Sequence, residues 1–180
     1  MLKKYWQKMR GQTISPPGVG WQEIFWSWLG SFLGIGAVAG GHYAFFEGTD
    51  MVLIIGSFGA SAMLIYGAPR SPFAQPRNLL GGHLISAALG VTMVQCCGPW
   101  PWLAAALAVS LSVAAMHATR TLHLPGGATA LIAVVGGPKI QQLGYLYVLL
   151  PVASGVLILL LIALLINNLA PTRRYPEFWL

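Results

Sequence analysis

The sequence predicts an all-α membrane protein with about six membrane-crossing segments, arranged as two three-helix inverted repeats that each contain one discontinuous helix. Three observations support this fold class. The 180 residues are 56% hydrophobic and only 8% charged, with a mean hydropathy of +0.68, a composition typical of membrane proteins. A short glycine-containing apolar pattern occurs twice, and the basic residues cluster between the apolar runs.

The chain divides into three parts. Residues 1–20 form a basic segment with aromatic residues, expected on the cytoplasmic side. Residues 21–168 form a single transmembrane domain, with repeat A at about 21–97 and repeat B at about 101–168, and residues 169–180 form a cytoplasmic tail. No apolar run of signal-peptide form follows the basic N-terminus, so we expect no cleaved signal or transit peptide.

The first half contains two long apolar runs with a short one between them. Residues 21–46 form the first span, and its small residues allow close helix contact; they are Gly30, Gly34, Gly36 and Gly40. After an acidic loop, residues 51–67 are barely long enough to cross a bilayer of about 30 Å. A connector with three prolines excludes a continuous helix, and residues 78–97 form the third span.

The second half repeats this order. A tight turn at 98–102 leads into the fourth span at 103–119. Residues 120–139 are apolar but open with groups that a membrane helix normally avoids. Pro125 tolerates a first helical turn, so this segment predicts a helix that begins inside the bilayer. The last span, residues 143–168, should be kinked at Pro151.

The two short segments share a local pattern. The run Gly59-Ala-Ser-Ala62 matches Gly127-Ala-Thr-Ala130, and both are followed by an apolar run that ends in Gly-X-Pro and a basic residue, Arg70 or Lys139. Chance similarity between two runs of small residues is the alternative. Short apolar segments interrupted by glycine at corresponding positions of two halves indicate a transport site.

The charge distribution predicts the topology. If both short segments cross the membrane, nine of the ten Lys and Arg residues are cytoplasmic and only Lys139 is outside, as the positive-inside rule requires. If both segments are re-entrant, Arg70, Arg77 and Arg120 move outside as well. We therefore favour six crossings with both termini cytoplasmic, and three crossings per half make the repeats inverted.

Two helix starts that face each other would favour a small anion, because each offers free N–H groups and about half a positive charge. No acidic residue occurs in the middle of a span, so a carboxylate-based cation site is poorly supported. The predicted substrate-binding residues are Gly59, Ala60, Ser61, Gly126, Gly127, Ala128, Thr129 and His83.

Histidines are the other ionisable groups at membrane depth. His83 could bind substrate or carry a proton, since an unperturbed imidazole titrates near pH 6.5; a hydrogen-bonded packing residue is the alternative. A second set is predicted to line the pathway or gate it: Arg77, Asn78, His117, Arg120 and His123.

Several other functions are poorly supported. His117 and His123 are six residues apart and the two cysteines, Cys96 and Cys97, are adjacent, so no compact set of metal ligands forms. Ser61 has no partnered carboxylate and lies in no Gly-x-Ser-x-Gly elbow. We therefore expect no enzyme, no cofactor and no metal. The net charge of +6 does not indicate a nucleic-acid partner, because the bases lie in short clusters between apolar spans.

Several ordered motifs resemble the HPP family of integral membrane proteins: Gly56-Ser-Phe-Gly-Ala-Ser-Ala62, Gly67-Ala-Pro69, Gln75-Pro-Arg-Asn78, Gly81-Gly-His83 and His123-Leu-Pro-Gly-Gly127 with the run to Gly137. The resemblance extends from about Trp21 to Asn168. Where the family has His-Pro-Pro, this chain has Leu124 in place of the first proline. The resemblance implies a multi-pass membrane protein with chloroplast and cyanobacterial relatives described as nitrite transporters, and the expected lack of a transit peptide favours a bacterial inner membrane.

The sequence thus predicts a transporter or channel in the lipid bilayer for nitrite or a similar small monovalent anion. A pore or carrier for a small neutral or cationic solute such as ammonia or urea is the first alternative. A structural or regulatory membrane protein that transports nothing is the second. A channel and a proton-coupled carrier both fit the pattern, and a homo-oligomer is possible.

Overall fold

The computed structural model describes residues 2–9, 14–15 and 17–180. Within this part of the chain the fold is all-helical, with no strand. A short 3-10 turn, Pro72–Ala74, and an irregular turn, Val148–Ala153, precede the fourth and the last α-helix. The α-helices are α1 (Leu2–Lys8), α2 (Trp21–Phe45), α3 (Ser57–Gly67), α4 (Pro76–Cys97), α5 (Pro101–Ala118), α6 (Leu124–Val135), α7 (Pro138–Gln142) and α8 (Ser154–Leu169).

Four helical segments are long and apolar enough to cross a membrane: α2, α4, α5 and the stretch Val148–Leu169 that contains α8. The predicted all-α fold is therefore confirmed, with four candidate membrane spans, and the six crossings and the inverted repeat stay predictions. Helices α3 and α6 have 11 and 12 residues, which gives each a length of about 17 Å at 1.5 Å per residue. Each half consequently has a long helix, a short helix and another long helix.

Both short helices are preceded by non-helical chain, as predicted for discontinuous helices. Residues 51–56 and 119–123 have no helical structure. The five residues 51–55 can span at most about 17 Å when extended, so α3 and its leading segment together can reach across a hydrocarbon core of about 30 Å.

The kink predicted at Pro151 is confirmed. Leu150, the residue before it, has extended dihedral angles (φ −132°, ψ 114°), and regular helix resumes only at Ser154. The proline ring disfavours helical geometry at the preceding residue. The last span accordingly begins as an irregular turn and continues as α8.

Glycine contacts set how closely α4 approaches its neighbours. A Cβ atom on Gly82 would lie 2.5 Å from His123 Cβ, and one on Gly90 would lie 2.7 Å from the Ala130 carbonyl oxygen. Only hydrogen fits at these two positions, because real Cβ atoms do not come that close to another heavy atom. The backbones of α4 and α6 therefore touch, and α4 forms the centre of the bundle.

The glycines of α2 divide into two groups. Gly30 packs against the ring of Tyr66 on α3, where an added Cβ would meet Tyr66 Cδ1 at 2.7 Å, and Gly34 packs against the same ring. Gly36 and Gly40 are exposed, and an added Cβ would meet nothing within 4 Å. The predicted close contact is thus confirmed for two of the four glycines.

The two ends of the bundle differ in charge. At one end Arg70 donates to the Thr172 carbonyl, Arg77 donates to the Thr119 carbonyl, and Arg173 pairs with Glu23. At the other end Lys139 Nζ lies 3.9 Å from an Asp50 carboxylate oxygen. The arginines used to predict the topology thus share one end, except Arg10, which lies outside the described residues. Which end is cytoplasmic stays a prediction.

Candidate functional site

A buried polar network lies between α3, α4 and α6. Its members are at most 1% exposed: Ser57, Ser61, His83, His123 and Thr129. Ser61 Oγ is 2.7 Å from His83 Nε2 and 3.0 Å from His123 Nε2. His83 Nδ1 is 2.7 Å from Thr129 Oγ1, which donates to Ser57 Oγ over 2.8 Å. One continuous chain of hydrogen bonds therefore joins five side chains from different parts of the sequence.

Local structure places each member. Ser57 and Ser61 are four residues apart on α3 and so share a face of that helix. His123 has an extended conformation immediately before α6 (φ −132°, ψ 111°), and Thr129 lies in the second turn of α6. His83 lies in the second turn of α4. The backbone contact between α4 and α6 closes the gap that would otherwise separate His83 from Thr129.

The tautomer of His123 follows from its backbone partner. His123 Nδ1 lies 2.8 Å from the carbonyl oxygen of Phe73. A carbonyl oxygen only accepts, so Nδ1 carries a hydrogen and donates. In neutral His123 the Nε2 lone pair therefore points at the hydroxyl of Ser61.

The network is fully bonded and enclosed. The imidazole rings of His83 and His123 are 4.9 Å apart between centroids, and Phe58 packs edge-on against His83 at 5.9 Å. The Tyr147 hydroxyl donates to the Thr129 carbonyl over 3.0 Å. Among the described residues, no buried side-chain nitrogen or oxygen lacks a partner. Such a network specifies a single packing, since any broken link leaves a costly unpaired group.

A cavity of about 490 Å³ opens at the arginine-rich end of the bundle. We call it the vestibule. Its described lining has three basic side chains and no acidic one: Pro72, Phe73, Arg77, Asn78, Met116, His117, Arg120, Leu122 and Phe178. Phe73 both lines the vestibule and accepts the hydrogen bond from His123. The vestibule and the buried network therefore share a wall.

The end of α5 directs Arg120 and His123 into this region. Arg120 has a left-handed backbone (φ 57°), and the Thr121 N–H donates to the Met116 carbonyl over 2.9 Å while the Arg120 N–H donates to the His117 carbonyl over 3.2 Å. These two bonds form a Schellman cap with Arg120 at the position that glycine usually occupies. The chain then reverses towards α6.

The predicted substrate-binding residues separate into two groups. Ser61, His83 and Thr129 meet in the buried network, where His123 joins them. Gly126 is buried beside them, and an added Cβ there would lie 2.8 Å from Ser86 Oγ. The remaining members are exposed or half-buried on the outer surfaces of α3 and α6: Gly59, Ala60, Gly127 and Ala128.

The two helix starts lie side by side rather than face to face. Ser57, at the start of α3, contacts Thr129 in the second turn of α6. The N–H of Gly59 donates to the Gly56 carbonyl over 3.2 Å, and the N–H of Gly126 donates to the His123 carbonyl over 2.9 Å. These backbone donors are thus engaged in local turns, and the polar groups that converge are side chains.

Of the predicted pathway residues, four line the vestibule: Arg77, Asn78, His117 and Arg120. Asn78 also donates to the Leu122 carbonyl over 2.8 Å. His123 lies deeper, in the network itself. The five residues predicted to line one mouth therefore lie in two places. Four line the vestibule, and His123 lies in the buried network behind it.

Sequence reasoning missed two members of the site. Ser57 could have been found from its spacing, because a serine four residues before Ser61 lies on the same helix face. The Phe73 carbonyl could not have been found, since a backbone group carries no residue-type signal. Its role depends on the turn at Pro72–Ala74, which brings it beside His123.

A family model described as "HPP, transmembrane region" matches residues 16–176. The chain belongs to the HPP family. Two proteins of Dictyostelium discoideum, both named only as transmembrane proteins, are 47% and 46% identical to it over 180 and 173 residues. These alignments cover 98% and 94% of this chain but 57% and 60% of the relatives, so the chain spans less than two thirds of their length. No solved structure matches it significantly.

Proposed function

We propose that this HPP-family protein is a membrane transporter or channel for nitrite or a similar small monovalent anion, and that it is not an enzyme. The vestibule carries this proposal. Arg77, His117 and Arg120 line it, no acidic residue is in its described lining, and its wall at Phe73 is hydrogen-bonded to His123. A cavity lined by one sign of charge concentrates ions of the opposite sign.

Behind the vestibule, the side chains of the network are the groups that an entering anion would meet. Ser61 and Thr129 supply hydroxyl donors, and His83 and His123 supply ring N–H groups. The predicted contribution of backbone N–H groups at Gly59–Ser61 and Gly127–Thr129 is smaller in this proposal, because the N–H groups of Gly59 and Gly126 are bonded in turns. Close packing at Gly82, Gly90 and Gly126 instead holds the side chains together.

The proposed topology has six crossings in two inverted repeats. The order long helix, short helix, long helix occurs twice, and the aligned positions Ser57 and Pro125 both lie at the start of a short helix. The arginine-rich end would be cytoplasmic. We also propose a bacterial inner membrane and a homo-oligomer. The two relatives, from Dictyostelium discoideum, do not support the bacterial location.

One observation favours the alternative of a neutral solute such as ammonia or urea. With both imidazoles neutral, the buried network contains no fixed charge, and Phe58 and other apolar side chains surround it. A neutral molecule would pay no charge-burial penalty there. The vestibule has no role in that alternative, because its three basic side chains would not attract an uncharged solute.

Flux measurements separate the candidates. Purified protein in liposomes is tested with nitrite, nitrate, formate, chloride, ammonium and urea, with protein-free liposomes correcting for passive leakage. We expect protein-dependent flux of nitrite or another of the four anions and none of ammonium or urea. Flux of ammonium or urea alone would establish the alternative, and no protein-dependent flux of any solute would support a structural or regulatory role.

A further inference from the structure

The hydrogens of the buried network can be counted. Thr129 donates to Ser57, so its single hydrogen is used, and His83 Nδ1 must donate to Thr129. His123 Nδ1 must donate to the Phe73 carbonyl. Two neutral imidazoles then have no ring hydrogen left, so both Nε2 atoms are acceptors.

At Ser61 the available hydrogens are too few for the contacts. Both Nε2 atoms lie within hydrogen-bond distance of its hydroxyl, at 2.7 Å and 3.0 Å, and the hydroxyl has one hydrogen to give. One of the two contacts would therefore set two lone pairs against each other. As long as Thr129 donates to Ser57, all five contacts are satisfied together only if one imidazole carries an additional proton.

The neutral form of the network differs from the charged form by the loss of the His83 Nδ1 proton and by hydroxyl rotations. When the Ser57 and Thr129 hydroxyls turn so that the hydrogen of Thr129 points at His83 Nδ1, His83 keeps its hydrogen on Nε2 and donates it to Ser61, which donates to His123. No heavy atom moves between the two forms. The network can therefore take up or release one proton without repacking its surroundings.

In the charged form the extra proton has two positions. Ser61 accepts from one imidazolium and donates to the other, neutral ring. The charge passes between His83 and His123 when the imidazolium gives its Nε2 proton to the Ser61 oxygen and the hydroxyl gives its own hydrogen to the second Nε2. A second proton would place two positive charges on rings only 4.9 Å apart, which like-charge repulsion disfavours. The pair therefore holds one proton.

We infer that the His83–Ser61–His123 unit is a binding site for a single shared proton and that transport couples this proton to the anion in a one-to-one ratio. The coupling rests on the function proposed above, whereas the proton site does not. On binding, a proton from water forms an N–H bond with a ring lone pair. On release, that bond breaks and the proton returns to water as the anion leaves.

The surroundings of the pair explain why an anion would accompany the proton. The elements packed around it contribute hydroxyls from Ser57, Ser61 and Thr129, with the Tyr147 hydroxyl and the Phe73 carbonyl beyond them. The basic groups nearest to it along the fold line the vestibule: Arg77, His117 and Arg120. None of these groups can neutralise an imidazolium.

The four acidic residues of the chain lie elsewhere. Glu23 is bonded to Arg173, Asp50 lies near Lys139, Glu47 is exposed in the loop that holds Asp50, and the Glu177 backbone is bonded to Gln75. A buried positive charge without a partner is strongly unfavourable. A small anion that enters from the vestibule supplies the missing charge, and the loaded site is then neutral overall.

The proton site is tested by nitrogen NMR on protein labelled with nitrogen-15 histidine in lipid bilayers, titrated from about pH 8 to about pH 4, the range in which imidazoles change charge. Spectra of His83→Gln and His123→Gln assign the pair, and His42 and His117 are internal references. We expect the four ring nitrogens of the pair to go from two protonated to three and to stay there. A pair that keeps two protonated nitrogens throughout, or goes directly to four, would overturn the inference.

A separate variant tests whether Ser61 bridges the two imidazoles. Ser61→Ala should remove the plateau at three protonated nitrogens, so that the two rings titrate separately. Ser110→Ala is the matched control, because Ser110 is exposed and donates only to the Leu107 carbonyl of its own helix. A plateau that survives in Ser61→Ala would show that the serine does not share the proton.

Coupling is tested in liposomes with nitrite. We expect an inward proton gradient to accelerate nitrite uptake, and a potential set with potassium and valinomycin to leave it unchanged, because one proton and one anion carry no net charge. Nitrite flux that follows the potential and ignores the proton gradient would overturn the coupling. A plateau at three protonated nitrogens without protein-dependent anion flux would leave the proton site standing and contradict the proposed function.

Discussion

Arg173 lies against Glu23, with its Nε 2.8 Å from a Glu23 carboxylate oxygen and its side chain only 2% exposed. The guanidinium uses all five of its N–H donors. Besides that carboxylate, its acceptors are the Glu23 carbonyl, Ser27 Oγ, the Tyr66 carbonyl and Asn167 Oδ1. This one side chain therefore ties the segment after α8 to α2, α3 and α8 at the arginine-rich end.

Removing this side chain should destabilise the protein. Arg173→Ala leaves the Glu23 carboxylate without its ionic partner and several buried acceptors unpaired, and each unpaired buried acceptor costs about 1–3 kcal/mol. We expect a clear fall in the thermal unfolding temperature of the detergent-purified protein. Arg173→Lys should be intermediate, because an ammonium has three donors and lacks the planar geometry of guanidinium.

The neighbouring arginine provides the control. Arg174 is exposed, so Arg174→Ala removes the same charge from the adjacent position without breaking the cluster. It should unfold at the temperature of the wild type. Equal stabilities for the two alanine variants would show that the Arg173 cluster does not hold the tail.

The vestibule arginines should determine the rate of anion transport. Arg77→Gln and Arg120→Asn each remove a positive charge from the cavity lining, and asparagine is chosen because it tolerates the left-handed backbone at position 120. We expect lower initial rates of nitrite flux in liposomes and a weaker dependence on ionic strength, since salt screens electrostatic attraction.

Arg174→Gln serves as the control for this experiment, because Arg174 is exposed and lies outside the vestibule lining. Its flux should equal that of the wild type. If the two vestibule variants transported nitrite as fast as this control at low salt, the cavity would not be the entrance.

The glycine contact between α4 and α6 should tolerate no added methyl group. Gly82→Ala would bring a Cβ within 2.5 Å of His123 Cβ, so α4 and α6 must move apart and the network beside them must loosen. Gly59→Ala adds a Cβ that meets nothing within 4 Å, and it should be neutral or stabilising by up to about 1 kcal/mol as in other exposed helix interiors.

Thermal unfolding of the two variants in detergent compares the effects. The expected order of stability is Gly59→Ala at or above wild type and Gly82→Ala well below it. The reverse order would mean that α4 and α6 do not pack through their backbones as described.

Cysteine labelling from either side of the membrane tests the topology. Single cysteines are introduced at exposed positions in a background without Cys96 and Cys97: Ala68, Arg174, Thr49 and Gln142. Positions 68 and 174 should be labelled from one side and positions 49 and 142 from the other, since the short segments cross in the proposed arrangement. Labelling of 68 and 142 from the same side would contradict six crossings.

Much of the fold followed from local chemistry. The long apolar runs predicted the four long spans, and Pro151 predicted the kink at Leu150. Span limits moved by only a few residues, as at the start of α4, where Pro76 takes the first helical position that proline favours. Each of these features depends on the properties of a residue and its immediate neighbours.

The candidate site was predicted in part. Ser61, His83 and Thr129 were selected because polar or ionisable groups at membrane depth are costly, and they meet in the network. His123 was assigned to the mouth because it lies near Arg120 in the sequence, yet it is fully buried. The reversal of the chain after the left-handed Arg120 moves it inward, and residue type alone does not indicate that turn.

The sequence by itself determined that the chain is apolar, helical and charged mainly between its spans. The tertiary structure decided which side of each short helix faces the core. Ser61 and Gly59 are two residues apart, but one is buried in the network and the other exposed, because α3 turns about 100° per residue. Which face of a uniformly apolar helix is covered depends on its neighbours, and here the glycine contact between α4 and α6 selects the face that carries Thr129.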